Sequence, residues 1–298
     1  MSIQRVNTIK INPTPRHKFS FIALGLAYVL LIFICLSSLI SEHELTLGRN
    51  PIANLIKTTQ DFIRPSFIDT WLGDTHLEYK SDDGKVLRVE NRQQVEKNYL
   101  AGLARATWTT LRIATLGSLL AALFALPIAI IAAKNLGAPR LFSAVAQGLL
   151  DISRSIHTLV FGLVIVGIIG LGPTAGILAI AFHSTGTYGK LFAEAIESLD
   201  MGAIDAVRSV GANRIQVFRH AVLPAVLPQF VSSHLYIWEF NIRDSTILGI
   251  IGAGGLGQLI TEATSLFQWG RLSTVLIVVF LLVYSFNNLS QKIRTALL

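Results

Sequence analysis

The sequence predicts an all-α, polytopic membrane protein of about six spans with a small insertion outside the membrane. Three observations predict it. Hydrophobic residues make up 52% of the chain and charged residues 14%, where a soluble domain carries roughly 25% charge. The mean hydropathy is +0.56. The charges fall in a few islands between apolar runs long enough to cross a hydrocarbon core of about 30 Å at 1.5 Å per residue. The net charge of +7 and pI near 9.7 do not indicate nucleic acid, because the basic residues flank apolar runs and positive cytoplasmic loops give the same total. Cys35 is the single cysteine and sits in an apolar run, which excludes a disulfide framework and a cysteine metal cluster.

Residues 1–18 form a cytoplasmic tail with Arg5, Lys10, Arg16 and Lys18 and no acid. The run Phe19 to Ile40 is the first span (19–40). It is too long for a signal peptide, and no clean cleavage site follows. Residues 41–100 form the extracytoplasmic segment, with ten acids against eight bases. Within it, Pro51 to Arg64 reads as an interfacial amphipathic helix, and 76–90 alternates around Asp83-Gly84 as a hairpin does.

Residues 101–298 form the membrane core. The second span runs from about Leu103 to Ala133, with Arg105 and Arg112 near its outer end and Pro127 as a kink. Lys134 and Arg140 mark a cytoplasmic turn. Leu141 to Leu171 is the third span, Gly172-Pro173 an outer turn, and Thr174 to Phe192 the fourth span. A basic island follows, and Leu223 to Phe240 is the fifth span. Residues 241–271 are Gly-rich and partly re-entrant, since irregular backbone at membrane depth must be covered by protein or line water. Leu272 to Leu289 is the last span, with Lys292 and Arg294 beyond it. Six spans put both termini and the island in the cytoplasm.

The island is a helix, a glycine break and a second amphipathic helix. Asp205 and Arg208 pair at i,i+3, Gly211 takes the positive φ that closes a helix, and Asn213 caps the next. Pro224 then breaks the helix and turns the chain before the fifth span. Such a hairpin at a membrane surface suits a partner's grip.

Other motifs are weaker. Gly252-Ala-Gly254-Gly255-Leu-Gly257 fits a dinucleotide fingerprint, but no strand precedes it and no acid follows at the required spacing. Close helix packing is the stronger reading, with a flexible outer gate as the functional one. Asp151, Arg154 and His157 fall at i, i+3, i+6 on one helix face, and either pair at the interface or face a path through the bilayer. Glu239, Asn241 and Arg243 at the end of the fifth span carry the same choice. Arg243 is the best candidate to attract an anion, since guanidinium stays charged and matches tetrahedral oxyanions. His183 and Arg112 are weaker candidates. No zinc-spaced cluster, nucleophile elbow or Ser-His-Asp arrangement points to catalysis, so neither a catalytic residue nor a bound metal or cofactor is expected.

The island resembles the cytoplasmic signature of the permease subunits of bacterial ABC importers, Glu-Ala-Ala, three residues, Gly, nine residues, Ile, one residue, Leu-Pro. Here it reads Asp205-Ala206-Val207, Gly211-Ala212, Ala221, Leu223-Pro224. The spacing is kept, with Asp for Glu, Val207 for Ala and Ala221 for Ile. Over most of 101–298 the chain is similar to the phosphonate-type permeases, on Asp151-x-x-Arg154, Gly172-Pro173-x-Ala175-Gly176, Leu178-Ala179, His183 and Lys190-Leu-x-x-Glu194-Ala-x-Glu197. After the signature come Glu239-x-Asn241-x-Arg243, Ser245-Thr246 and the Gly252–Gly257 run. The resemblance implies a MetI-like, type I importer architecture in the bacterial inner membrane. It also implies a homodimer, two cytoplasmic ATPase subunits that bind ATP and magnesium and dock on a coupling loop at 194–224, and a periplasmic phosphonate-type binding protein. The implied solute is a phosphonate or related oxyanion such as phosphite. An importer of another solute, an ion-coupled secondary transporter and a membrane enzyme are the alternatives. No inverted repeat supports the second, and no reactive constellation supports the third.

Overall fold

The structure, a computed structural model, describes residues 16–41, 50–68, 76–80, 86–136 and 138–297. Residues 1–15 of the N-terminal tail and the Asp83-Gly84 turn lie outside the described residues, and Arg16 to Lys18 of the tail already belong to the first helix. The chain divides into two units, Met1–Lys57 and Thr58–Leu298. In the first, helix α1 (Arg16–Ser41) occupies the expected first span. Its large apolar side chains from Leu24 to Leu36, and Ile40, are exposed. Helix α2 (Pro51–Ile63) crosses the boundary between the units, with Ile52, Leu55 and Ile63 uncovered along it.

The second unit opens with the expected hairpin. Strands β1 (His76–Lys80) and β2 (Val86–Asn91) pair antiparallel from His76↔Asn91 to Lys80↔Val86, with a register shift at Tyr79/Lys80. Asn91 then caps α3 (Arg92–Ala132), its Oδ1 accepting from Gln93 and Gln94 N–H at 3.0 and 3.4 Å. This helix begins 11 residues before the expected second span, because the cap and the helix-forming stretch after it carry the helix out past the apolar run. Its outer end is held to the last helix, α11 (Trp269–Leu297). Arg271 pairs with the buried Glu96 at 3.3 Å and lies 4.8 Å over the Tyr99 ring.

The expected third span is two helices, α4 (Arg140–Ser155) and α5 (Thr158–Ile169), bent by 88°. Side-chain capping makes the break possible. His157 caps α5 through Nδ1, which accepts from Leu159 N–H at 3.2 Å, and His183 Nδ1 meets the Ile156 carbonyl at 2.7 Å. A 25-residue helix, α6 (Pro173–Glu197), lies against α3, α4 and α5 and against α9 (Leu223–Leu248). Because protein surrounds α6, its sequence holds small and polar residues where a lipid-facing span would hold bulky apolar ones. An added Cβ at Gly186 would lie 2.5 Å from the Leu150 carbonyl oxygen of α4, so those two backbones touch.

Buried polar groups are satisfied across helices. Asn241, 1% exposed, donates to Ser118 Oγ of α3 at 2.8 Å and accepts from Ser184 Oγ of α6 at 3.0 Å. Thr158 Oγ1 donates to Asp244 Oδ2 at 2.6 Å, tying α5 to α9. Replacing Asn241 by alanine leaves two buried hydroxyls short of a partner, so a loss of about 2 kcal/mol is expected in thermal unfolding of the detergent-solubilised protein.

Beyond α6 come α7 (Met201–Ser209) and the short α8 (Arg214–Val217). Pro224 does not break the chain. A π-helical segment, Phe218–Val222, carries α8 directly into α9. Proline is tolerated in a first helical turn, where its missing N–H leaves no gap, and the wider π turn precedes it. The fifth span also runs on to Leu248, eight residues beyond the expected end, so the Glu239–Asp244 cluster lies inside a helix. A turn at Gly249–Gly255 then bends the chain by 57° into α10 (Leu256–Ser265). By length and apolar content, α3 and α11 each qualify among the described residues to cross a membrane, and the two bent pairs qualify as broken spans.

Candidate functional site

The loop between α6 and α9 is built as the sequence predicts, up to Pro224. Asp200 caps α7 by accepting from Gly202 N–H at 2.9 Å, and Arg208 meets Asp205 at 3.3 Å. Gly211 has φ +85° and donates its N–H to the Arg208 carbonyl at 2.9 Å. Asn213 and Gln216 form a reciprocal capping pair, each backbone N–H donating to the other's side-chain oxygen at 2.8 and 2.9 Å. Ile204, Val217 and Val222 are buried in the same apolar cluster as Ala125 and Ala129 of α3 and Phe192 and Ile196 of α6. Val210 and Ile215, 81% and 77% exposed, project outward. The hairpin is therefore anchored on one face and bare on the other. Glu197 Oε1 accepts from Lys134 N–H at 2.9 Å, fixing the end of α6 to the end of α3, while Glu194 is exposed. Leu223 and Pro224 lie in the first turn of α9, and Ala206 and Ala212 flank the glycine turn.

The charged candidates part company. Asp151 sits between Arg154 Nε at 3.1 Å and Lys190 Nζ at 3.3 Å. His157 does not share their helix face, because α4 ends before it; its ring centroid lies 6.4 Å from that of His183. Glu239 faces Arg294 of α11 at 4.0 Å, and Asn241 is spent on the two serines. Arg243 differs. It is exposed, has no acid partner among the described residues, and its guanidinium lies 5.6 Å from the Phe240 centroid. Sequence reasoning missed the partners Ser118, Ser184 and Thr158, which sit on other helices and carry no local signal.

The glycine run forms a tight turn. Gly252, Gly254 and Gly255 have φ of +100°, +88° and +74°, and the Gly252 carbonyl accepts from Gly172 N–H at 3.0 Å. Leu256 N–H donates to Thr110 Oγ1 of α3 at 2.9 Å. Gly257 packs its Cα against Gly249 and against the Thr246 carbonyl. Gly252, Gly254 and Gly255 line a cleft of about 770 Å³ with Arg105, Thr109 and Glu262.

Residues 125–296 match the family described as binding-protein-dependent transport system inner membrane component. The chain belongs to that family. It is a multi-pass membrane permease subunit of an ABC importer, similar to permeases named for phosphite and phosphonate transport. A putative phosphite transport system permease of Stutzerimonas stutzeri is 42% identical over 189 residues, 63% of this chain and 67% of its own length. A phosphate-import permease of Mycolicibacterium smegmatis is 36% identical over 195 residues, 65% and 37% of the two chains. Among solved structures, the MetNI methionine ABC transporter in an inward-facing conformation aligns with a TM-score of 0.59 at 24% identity, over 66% of this permease and 96% of that chain. That likeness is one of fold. The family match, over residues 125–296, takes in the 194–224 loop, α9 and the glycine turn of the permease.

Proposed function

We propose that this permease imports a small phosphorus oxyanion, of the phosphonate and phosphite class, with energy supplied by partner ATPases. The observation that carries the solute class is the 42% identity to a permease named for phosphite. Two copies enclose the path, and both termini and the 194–224 loop are cytoplasmic. Two ATPase subunits bind ATP and magnesium and grip the loop, and a periplasmic binding protein delivers solute. The permease itself hydrolyses nothing.

The geometry supports a lever. The loop's buried face belongs to the cluster shared by α3 and α6, and α8 runs into α9 without a break. A displacement of the loop by the ATPases therefore moves α9, a helix of 26 residues and about 39 Å. Its uncovered face presents Gln229, Tyr236, Phe240 and Arg243 at helical spacing. An unpaired guanidinium at membrane depth is tolerated where it faces water or a second subunit, so this face borders the path, with Arg243 as the anion's contact. The glycine turn and its cleft form the outer gate. Rocking of the two subunits then alternates access.

The test is uptake of labelled phosphite into proteoliposomes holding the complete importer, with phosphonate, phosphate and methionine as competitors. Competition by phosphonate is expected; competition by methionine alone would overturn the solute class. In the same assay Arg243→Ala is expected to lower uptake about tenfold, the loss of about 1.4 kcal/mol. Arg243→Lys should fall between, because it keeps the charge and loses the fork. Equal uptake by both variants and the parent would remove Arg243 from the path.

A further inference from the structure

Positive charge from three helices converges on the cleft of about 770 Å³ beside the glycine turn. Its wall includes Gly172 and Pro173, where the 25-residue α6 begins, and Gly255 and Gln258, where α10 begins. A helix start carries roughly half a positive charge and N–H groups that have no partner within the helix. Both N-caps are glycine, Gly172 and Gly255, so no side chain covers those groups. Arg105 of α3 lines the same cleft, is exposed, and has no acid partner among the described residues. Gly254 keeps the space clear. A Cβ there would stand 3.9 Å from Gln258, Pro173 and Thr109, which all line the cleft. A guanidinium beside two uncovered helix starts has the chemistry of a tetrahedral oxyanion site.

The rest of the wall narrows the class of anion. Glu262 is exposed on the same cleft and has no cationic partner among the described residues. An ionised carboxylate only accepts hydrogen bonds. It therefore repels a fully deprotonated oxyanion and accepts from one that keeps a P–OH. Phosphorus oxyanions whose second ionisation lies near neutrality keep one in part. Sulfate does not, and neither does the phosphodiester of a lipid headgroup. Leu171, Ile250 and Leu259 complete the wall with apolar surface. That surface suits a hydrogen or short alkyl group on phosphorus, where a fourth oxygen would be left without a partner.

We infer that this cleft binds a protonated phosphorus oxyanion bearing a P–H or P–alkyl group, with Arg105 as its cationic contact and Glu262 accepting from its P–OH. The inference rests on the proposed function and deepens it, giving the imported anion a first station at the outer gate. Its test is phosphorus NMR line broadening of methylphosphonate and phosphite on the importer, permease with ATPases, in phosphatidylcholine nanodiscs without a solute-binding protein. Both anions are expected to bind the parent, within threefold of each other. Arg105→Gln should weaken both at least tenfold and Arg105→Lys by less, with thermal stability and basal ATP hydrolysis as in the parent. Glu262→Gln should admit sulfate as a competitor that the parent excludes. Methylphosphonate binding within twofold of the parent in Arg105→Gln would overturn the inference. Sulfate competition in the parent, or none in Glu262→Gln, would overturn the role of Glu262. Dimethyl phosphate competing as well as methylphosphonate, or loss of methylphosphonate binding in phosphatidylglycerol nanodiscs alone, would give the cleft to a lipid headgroup and overturn it too. Each of these results leaves the proposed function standing. Absence of phosphite uptake by the parent in proteoliposomes would overturn the proposed function, and this inference with it.

Discussion

Gly257→Ala is expected to destabilise the permease by about 3 kcal/mol or more, seen as a lower thermal transition in detergent and a loss of assembled protein. The added methyl group would meet the Thr246 carbonyl oxygen, the Gly249 Cα at 2.7 Å and Ile250 N at 2.8 Å. All three are backbone atoms, so no side chain can rotate away. Relief requires α9 and α10 to separate, which pulls Leu256 N–H from Thr110 Oγ1 and uncovers the apolar contact of Leu256 with Leu103 and Val275. Gly148→Ala is the control. Nothing lies within 4 Å of its Cβ position, so this mid-helix change is expected to raise stability, by up to about 1 kcal/mol. Equal stability of Gly257→Ala and the parent would mean that the 249–257 turn is loosely packed.

Gly211→Pro is expected to bring uptake down to background while the permease still inserts and ATP hydrolysis by the importer continues. Proline holds φ near −65° where Gly211 has +85°, and it removes the N–H that bonds the Arg208 carbonyl. The turn between α7 and α8 then opens. The buried anchors Ile204 and Val217 sit on either side of it, so the hairpin loses the relation between its exposed face and α9. Gly211→Ala separates strain from hinge loss: nothing crowds its Cβ position, so only the left-handed backbone is taxed, by about 1 kcal/mol. Uptake and ATPase activity are measured together in proteoliposomes. Normal uptake by Gly211→Pro would take the coupling role away from this turn.

How much of this was legible in the sequence follows the range of the interactions. The Asp205–Arg208 pair, the Gly211 turn and the Asn213 cap are contacts between residues a few positions apart, and residue type alone specified them. The hairpin and the apolar helices were legible for the same reason. Breaks and bends were harder. The expected kink at Pro224 does not occur, while an unexpected one of 88° divides the third apolar run at Ile156 and His157. Proline marks a helix end only where its missing N–H would have been used. The break after Ser155 depends on His183, from a different helix, covering the Ile156 carbonyl.

By itself, then, the sequence determined that this is a helical, multi-pass membrane protein with a polar helical hairpin between two apolar runs, because hydropathy, charge islands and local spacing need no partner to be read. The tertiary structure alone decided which polar groups are spent on structure and which stay available. Asn241 is consumed by Ser118 and Ser184, Asp151 by Arg154 and Lys190, and Glu239 is engaged by Arg294. Arg243 and Arg105 remain exposed. The physical reason is that a buried polar group must find its partner wherever the fold brings one, and such partners lie as far apart in the chain as Ser66 and Thr274, 208 residues.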